Sequence, residues 1–461
     1  MFIVPLLLAG CALFDPPPRR NVLVVVWDTA RADRMSLYGH DRPTTPLLDA
    51  RAETARVYER AWSPSSWTVP SHASFFTGLA PRAHRANGET RWLAPEHLTL
   101  AEELGAAGYA TYLFTANPNL VTANLHQGFQ TVVTPADHRE EVAAWNRAKL
   151  HPEDASSHAS PASRVHRPSA HMNDVGPLPA RLLGEWVATH DEPWFAVVNY
   201  MEVHYPRLPT AAAREAVIPA KLQAAALQVR NDAAIRRRLN AGTFGYSPGM
   251  QQSLRAVYDA TMWDLDRATE ALFDALDAQG ALDDTWVVLV SDHGEQFGRH
   301  GTYGHAHDLY EPLVHVPLVV WGPGVRAARV AEPVSTIGIH GLVRHAAGLE
   351  RRPAVLLEPG GEVVVERTTR YTGEPEEVWA IRGGDHKLLQ RADGDAQLFD
   401  LVEDPTEEDD RASREPRVVR DLQRRLSAWR ATWPPPLETT SRRGTLSQEL
   451  ADELRALGYA E

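Results

Sequence analysis

The chain has 461 residues, 43% hydrophobic and 23% charged, which excludes a small stapled scaffold and a disordered chain and leaves one large domain or two unequal ones. Its 47 Lys+Arg against 60 Asp+Glu give a formal charge of -13, which excludes a broadly basic nucleic-acid surface but allows local cationic pockets. No apolar run reaches the roughly 18 residues that a spanning helix needs.

At the N-terminus, FIVPLLLAG (2–10) precedes Cys11, the sole cysteine, and DPPPRR follows. A single cysteine excludes a disulfide framework and a thiolate metal cluster. The order of apolar run, small residues, cysteine and Pro-rich linker resembles a bacterial lipoprotein signal with Leu8-Ala9-Gly10-Cys11 as the lipidation box, although the run is short and has no basic start. The resemblance implies a lipid on Cys11, and so a membrane contact in the bacterial cell envelope, facing the periplasm or exterior. Ala12 carries no inner-membrane retention signal, which favours the outer membrane.

The run NVLVVVW (21–27) is apolar throughout and ends at Asp28, as a strand buried on both faces does. TWVVLVS (285–291) repeats the pattern and ends at Asp292-His293, and a third run, 194–200, ends near His204. Between these runs, helical spacing predicts helices over 99–107, 178–190 and 251–279. Alternating strands and helices predict an α/β fold with a mostly parallel sheet, whose ligands sit beyond the carboxyl ends of the strands. Residues 139–176, rich in His, Ser, Pro and Ala, are expected to be a surface excursion without assigned structure. After residue 350 the short runs VVVER, VWAIR, HKLLQ and AQLFDL, then an amphipathic stretch at 417–429, predict a small antiparallel subdomain with a closing helix. The expected division is 1–20 signal and linker, 21–350 catalytic domain, and 351–461 C-terminal subdomain with tail helices. There is no internal repeat.

SSWTVPSHASFFTGLAPRAHR (65–85) runs from a turn into a helix, placing Thr68 beside a helix N-terminus whose field favours an anion. Together with NVLVVVWDTARAD, NYMEVHYPRLP (199–209), the stretch from VVLVSDHGEQFGRHG to VVWGPG (287–324) and the C-terminal AIRGGDHKLLQ and AQLFDLVEDPTEEDD, this segment resembles the sulfatase family of the alkaline phosphatase superfamily. The resemblance covers nearly all of residues 21–430. It implies an alkaline-phosphatase-like three-layer sandwich, and a substrate that is an ester of a small molecule, glycan or lipid headgroup.

By the same resemblance Asp28, Asp292 and His293 bind one divalent metal, with Thr68 as a further ligand and as the nucleophile. Two carboxylates and an imidazole suit calcium, manganese or zinc, and a bound cation lowers the pKa of a coordinated hydroxyl. Many sulfatases carry a cysteine, matured to formylglycine, in a Cys-x-Pro-x-Arg motif, where this chain has Thr68, Pro70 and His72. Threonine cannot become formylglycine, and the histidine removes a fixed cationic fork. Threonine here resembles the phospho- and phosphono-ester enzymes and the phosphoglycerol or phosphoethanolamine transferases related to sulfatases, which shifts the expected substrate toward phosphorus. Thr29 stands where many sulfatases have a second metal-binding aspartate, a loss that weakens calcium relative to manganese or zinc. His204, in His204-Tyr205-Pro206, matches the family's pocket histidine, and His305 falls where relatives have a pocket lysine or histidine. Either could donate to a non-bridging oxygen or protonate the leaving group. The leading expectation is a metal-dependent ester hydrolase acting through a covalent Thr68 intermediate, with catalytic roles for Thr68, His204, His305 and His72. A phosphoryl-group transferase and a catalytically dead binding protein of the same fold are the alternatives. His300, His307 and the histidines of 139–176 are expected to be surface residues or a weak adventitious metal patch.

Overall fold

A computed structural model describes residues 19–437, apart from 89, 150–173, 228, 230–232, 351–361 and 370–375. Its centre is an eight-stranded sheet in the order Ala328–Val330, Arg56–Tyr58, Leu318–Trp321, Thr285–Val290, Asn21–Trp27, Trp194–Tyr200, Ala110–Thr115, Thr131–Val133. Only Leu318–Trp321 runs against its neighbours. The expected mostly parallel α/β sandwich is what the chain forms.

The Asn21–Trp27 strand shows why its apolar run is unbroken. Leu23, Val25 and Trp27 enter one core cluster, against the helices Leu178–Val187 and Pro248–Asp277, while Val22, Val24 and Val26 enter the other, against Thr68–Thr77, Leu100–Ala106 and Ile339–Ala346. A strand covered on both faces has no solvent side on which to place polar residues. Its register pairs Trp27 with Tyr200 and Val26 with Val290, and Thr115 pairs with Asn199. Four strands therefore stop at one level, and the residues that follow them share one edge of the sheet.

The predicted helices form with bounds of Leu100–Ala106, Leu178–Val187 and Pro248–Asp277. Thr99 and Glu102 make a reciprocal capping box, and Ser247 caps the long helix by accepting from Met250 N. One expectation is corrected. Residues 139–149 are not an unstructured excursion but a helix, Arg139–Lys149, which buries Val142, Asn146 and Lys149 at helical spacing. Lys149 Nζ ends 2.6 Å from Asp174 Oδ2, and Trp145 donates to Asp174 Oδ1 at 3.0 Å. The rest of that excursion, 150–173, lies outside the described residues, as do Cys11 and the N-terminal run.

The C-terminal part is a four-stranded antiparallel sheet, Val363–Thr369, Glu376–Gly383, His386–Arg391 and Ala396–Asp400. One face packs Val363, Val365, Ala380, Leu389 and Phe399 against Trp62, Leu309 and Leu313 of the larger body. The other packs Val364, Ile381 and Leu388 against Leu422 and Leu426 of the closing helix Pro416–Thr432. Lys387, fully buried, sits between Glu311 (2.9 Å) and Glu407 (2.8 Å), so the contact between the two parts is ionic as well as apolar.

Candidate active site

Asp28 follows the strand Asn21–Trp27, and Ser291-Asp292-His293 follows the neighbouring strand Thr285–Val290. Thr68 opens the helix Thr68–Thr77, every residue of which is buried, so that its N-terminal field points into the same space. Asn117 comes from the loop after Ala110–Thr115. All of these site side chains have 0% exposure.

The His293 Nδ1–H donates to the Gly294 carbonyl at 2.9 Å, a tautomer assigned from the hydrogen-bond network. Its Nε2 lone pair therefore faces the acids, 3.4 Å from Asp292 Oδ2 and 4.0 Å from Asp28 Oδ1, with Thr68 Oγ1 at 3.3 Å. Asp292 Oδ1 accepts the Thr29 and His293 N–H groups at 3.2 and 2.9 Å. Asp28 Oδ2 accepts from Asn117 Nδ2 at 2.7 Å, and the same nitrogen lies 3.4 Å from Thr68 Oγ1.

One oxygen of each acid, Asp28 Oδ1 and Asp292 Oδ2, is buried without a hydrogen-bond partner. Uncompensated anionic oxygens are costly in an interior. Burial, and then the Asp292 carboxylate, push Asp28 well above the usual carboxylate range; burial pushes Asp292 up to about 7 and lowers His293. Asp28, Asp292 and His293 each offer one ligand atom, these atoms lie within 4.8 Å of one another, and two carboxylates with an imidazole are a donor set for a divalent cation, whose ligand bonds run about 2.0–2.6 Å. The residues fit the implied metal.

Thr29 adopts a left-handed backbone with φ 62°, uncommon for a β-branched residue. Its carbonyl accepts from Tyr258 Oη at 2.7 Å, while its N–H serves Asp292. The long helix thus holds the loop in a conformation that aims Thr29 N–H at the second acid.

His72 lies one turn into the helix, fully buried, with Nδ1 3.0 Å from the Thr68 carbonyl and 3.6 Å from Asp292 Oδ2. Burial lowers it to about 3, so it is a neutral group beside the Thr68 backbone, not a cationic fork. The His204 and His305 rings lie nearby, their centroids 5.2 Å apart and their planes tilted by 54°, and the His305 ring lies 4.6 Å from that of His293. The Nδ1 of His204 donates to the Tyr205 carbonyl at 2.6 Å, and that of His305 to Glu295 Oε1 at 3.1 Å. These Nδ1 contacts fix the orientation of both rings. Burial favours a neutral His305, lowered to about 3 against the pull of Glu295. Burial alone would raise Glu295, yet His305 and Arg207 hold it below the usual carboxylate range, and Arg207 Nη2 is 2.6 Å from Glu295 Oε2.

The geometry thus brings together Asp28, Thr68, Asp292 and His293, with His72, His204 and His305 around them. It adds three residues that the sequence reading passed over. Asn117 follows the mixed run ATYLFT, which gave no clear signal; Glu295 and Arg207 stand inside motifs already quoted, DHGEQF and HYPRLP.

The sulfatase family matches residues 20–348. Choline-sulfatase of Rhizobium meliloti (strain 1021) is 24% identical over 421 residues, covering 84% of this chain and 81% of its own length. A multifunctional alkaline phosphatase superfamily protein of Trinickia caryophylli is 26% identical over 355 residues, 66% of this chain and 69% of its own. The crystal structure of the phosphonate monoester hydrolase of Agrobacterium radiobacter superposes with a TM-score of 0.70 at 22% identity, covering 90% of this chain and 96% of that one, which is a likeness of fold. Fold, site edge and family match agree, and the chain belongs to the sulfatase family as a sulfatase-like ester hydrolase.

Proposed function

We propose that this chain is a metal-dependent hydrolase that cleaves a phosphate or phosphonate ester, in preference to a sulfate ester, through a covalent intermediate on Thr68. The observation that carries the proposal is the placement of Thr68 Oγ1, at the start of a buried helix and 3.3 Å from His293 Nε2, where the family's more usual nucleophile is a matured cysteine. A phosphonate monoester hydrolase among the similar structures supports phosphorus; choline-sulfatase among the relatives keeps sulfate as an outcome of the test.

Asp28, Asp292, His293 and Thr68 would hold the cation. When bound, it lowers the pKa of the Thr68 hydroxyl and offsets the charge of the ester oxygens. Thr68 Oγ1, its proton released to solvent, forms a bond to phosphorus as the bond to the leaving oxygen breaks, and the leaving oxygen takes a proton from His204 or His305 once an anionic ester has drawn one there. Water then attacks phosphorus, one of its protons passing to that histidine, and the phosphorus–Thr68 bond breaks with Thr68 leaving as the oxyanion from which the cycle began. His72, through the Thr68 carbonyl, and Asn117, through Asp28 and the hydroxyl, position the nucleophile. A lipid on Cys11 would hold the enzyme at the bacterial envelope, with the outer membrane favoured; among the described residues no helix is long and apolar enough to cross a membrane.

The test is a panel of aryl sulfate, phosphate monoester, phosphodiester and phosphonate monoester substrates, each with calcium, manganese and zinc, with products analysed with and without added glycerol. Metal-dependent turnover of a phosphorus ester to a hydrolysed product supports the proposal. Turnover of aryl sulfate alone, or a glycerol adduct as the sole product, contradicts it.

A further inference from the structure

The segment between the Trp194–Tyr200 strand and the long helix carries three short helices and no recognisable motif. One of them, Ala233–Asn240, lays Arg236 over the site. The Arg236 guanidinium stacks on the Tyr205 ring at 3.7 Å from its centroid. Tyr205 in turn stacks on His204 (4.3 Å, 28°) and lies 5.9 Å from His305. A fixed positive charge therefore stands two ring layers from His293, on the His204 and His305 side of the site.

Among the described residues this charge has no carboxylate partner within 4.0 Å and makes no hydrogen bond. The carboxylate that could have served it, Glu295, is already bound by Arg207 and His305. Lying over an aromatic face uses the flat side of the guanidinium, not the N–H donors at its edge, which can still meet an anion. A second unmet group lines the same small cavity of about 30 Å³: Gln296, with 1% exposure, has neither its amide nitrogen nor its amide oxygen hydrogen-bonded. The stem of Arg236 also has a tailored berth. A Cβ on Gly304, where φ is +91°, would lie 2.6 Å from Arg236 Cδ, so glycine before His305 lets the side chain cross here.

We infer that Arg236 is a specificity-determining residue that recognises a second anionic group, a carboxylate or a further phosphate or sulfate, carried by the substrate beyond the scissile ester. A fork of unused donors discriminates by charge, because a substrate without the second anion leaves those donors unpaired when it excludes water. The inference rests on the ester-hydrolase reading of the same site and names its substrate class as dianionic.

The test is calorimetric titration of the metal-loaded enzyme with phenylphosphonate and with 4-carboxyphenylphosphonate, two unreactive probes that share the phosphonate and differ in the second charge. The wild type is expected to bind the carboxylated probe roughly ten-fold more tightly. Arg236→Ala should abolish the difference while phenylphosphonate affinity stays within about two-fold, Arg236→Lys should restore part of it, and Arg237→Ala, at the exposed neighbour, should leave it unchanged. Equal affinities in the wild type, or a preference that survives Arg236→Ala, overturn the inference. Phenylphosphonate binding that does not depend on metal counts against the underlying site reading instead, so the two failures are distinguishable.

Discussion

Asn117 donates from Nδ2 to Asp28 Oδ2 at 2.7 Å, and so fixes which oxygen of Asp28 is left for a cation. Partners that orient a ligand typically control ten- to a hundred-fold in metal affinity. Asn117→Ala is therefore expected to weaken metal binding about ten- to a hundred-fold and to reduce turnover at subsaturating metal, with recovery at high metal concentration. A metal titration of activity checks it; an unchanged half-saturation point speaks against the positioning role.

Removal of the cation should also cost stability, because only the folded chain holds Asp28, Asp292 and His293 together. Metal at a hundred times its dissociation constant adds about 2.7 kcal/mol, so the melting temperature is expected to rise by a few degrees on loading and to fall on chelation. In Asp292→Asn that shift should shrink or vanish. A thermal scan in which metal has the same effect on wild type and variant contradicts the assignment.

Glu366 ties the C-terminal sheet to the larger body, where its Oε2 accepts from Arg82 N at 3.1 Å and its carbonyl accepts from Ser65 Oγ, three residues before Thr68. Burial pushes its carboxyl up to about 7, above the roughly 4.3 of an unfolded glutamate. The folded state therefore holds a proton that the unfolded state releases. The associated stability is fully present below about pH 4.3 and is lost as pH rises through 7. Glu366→Gln, which keeps an acceptor and cannot ionise, should flatten the fall in stability across that window. Denaturant melts at pH 5 and 8 measure it, and the same loss between the two pH values in wild type and variant goes against the prediction.

The Cys11 proposal is tested by expression in a lipidating bacterium. Membrane association should be lost in Cys11→Ser, and intact mass should show the mature protein beginning at an acylated Cys11. A chain that keeps unmodified Met1 contradicts it.

The legible parts of this molecule are those where one physical demand acts on a continuous segment. NVLVVVW and TWVVLVS are strands buried on both faces, and Asp28, Asp292 and His293 stand out because an apolar run stops at them. Asn117 escaped because ATYLFT mixes threonine and tyrosine with apolar residues, so neither the strand nor its end is conspicuous. The helix Arg139–Lys149 was hidden by its charge. Its burial depends on Lys149 meeting Asp174, a partner 25 residues away that no local pattern announces. Lys387 is alike, since HKLLQ does not reveal that Glu311 and Glu407 enclose it. His300 and His307, expected at the surface, are engaged: His300 stacks on Tyr310 at 3.7 Å, and His307 Nε2 meets Asn240 at 3.1 Å. Arg236 was unreadable because its meaning lies in Tyr205 and His305, not in its own helix.

The Thr68 mechanism is tested most directly by rapid quenching of turnover with a phosphonate or phosphodiester substrate, followed by peptide mass spectrometry. Phosphorus is expected on the peptide containing Thr68. Thr68→Ala should lose at least about a thousand-fold in kcat and trap no label, whereas Thr68→Ser should keep measurable activity. Label on a different residue, or Thr68→Ala turning over at the wild-type rate, contradicts the mechanism.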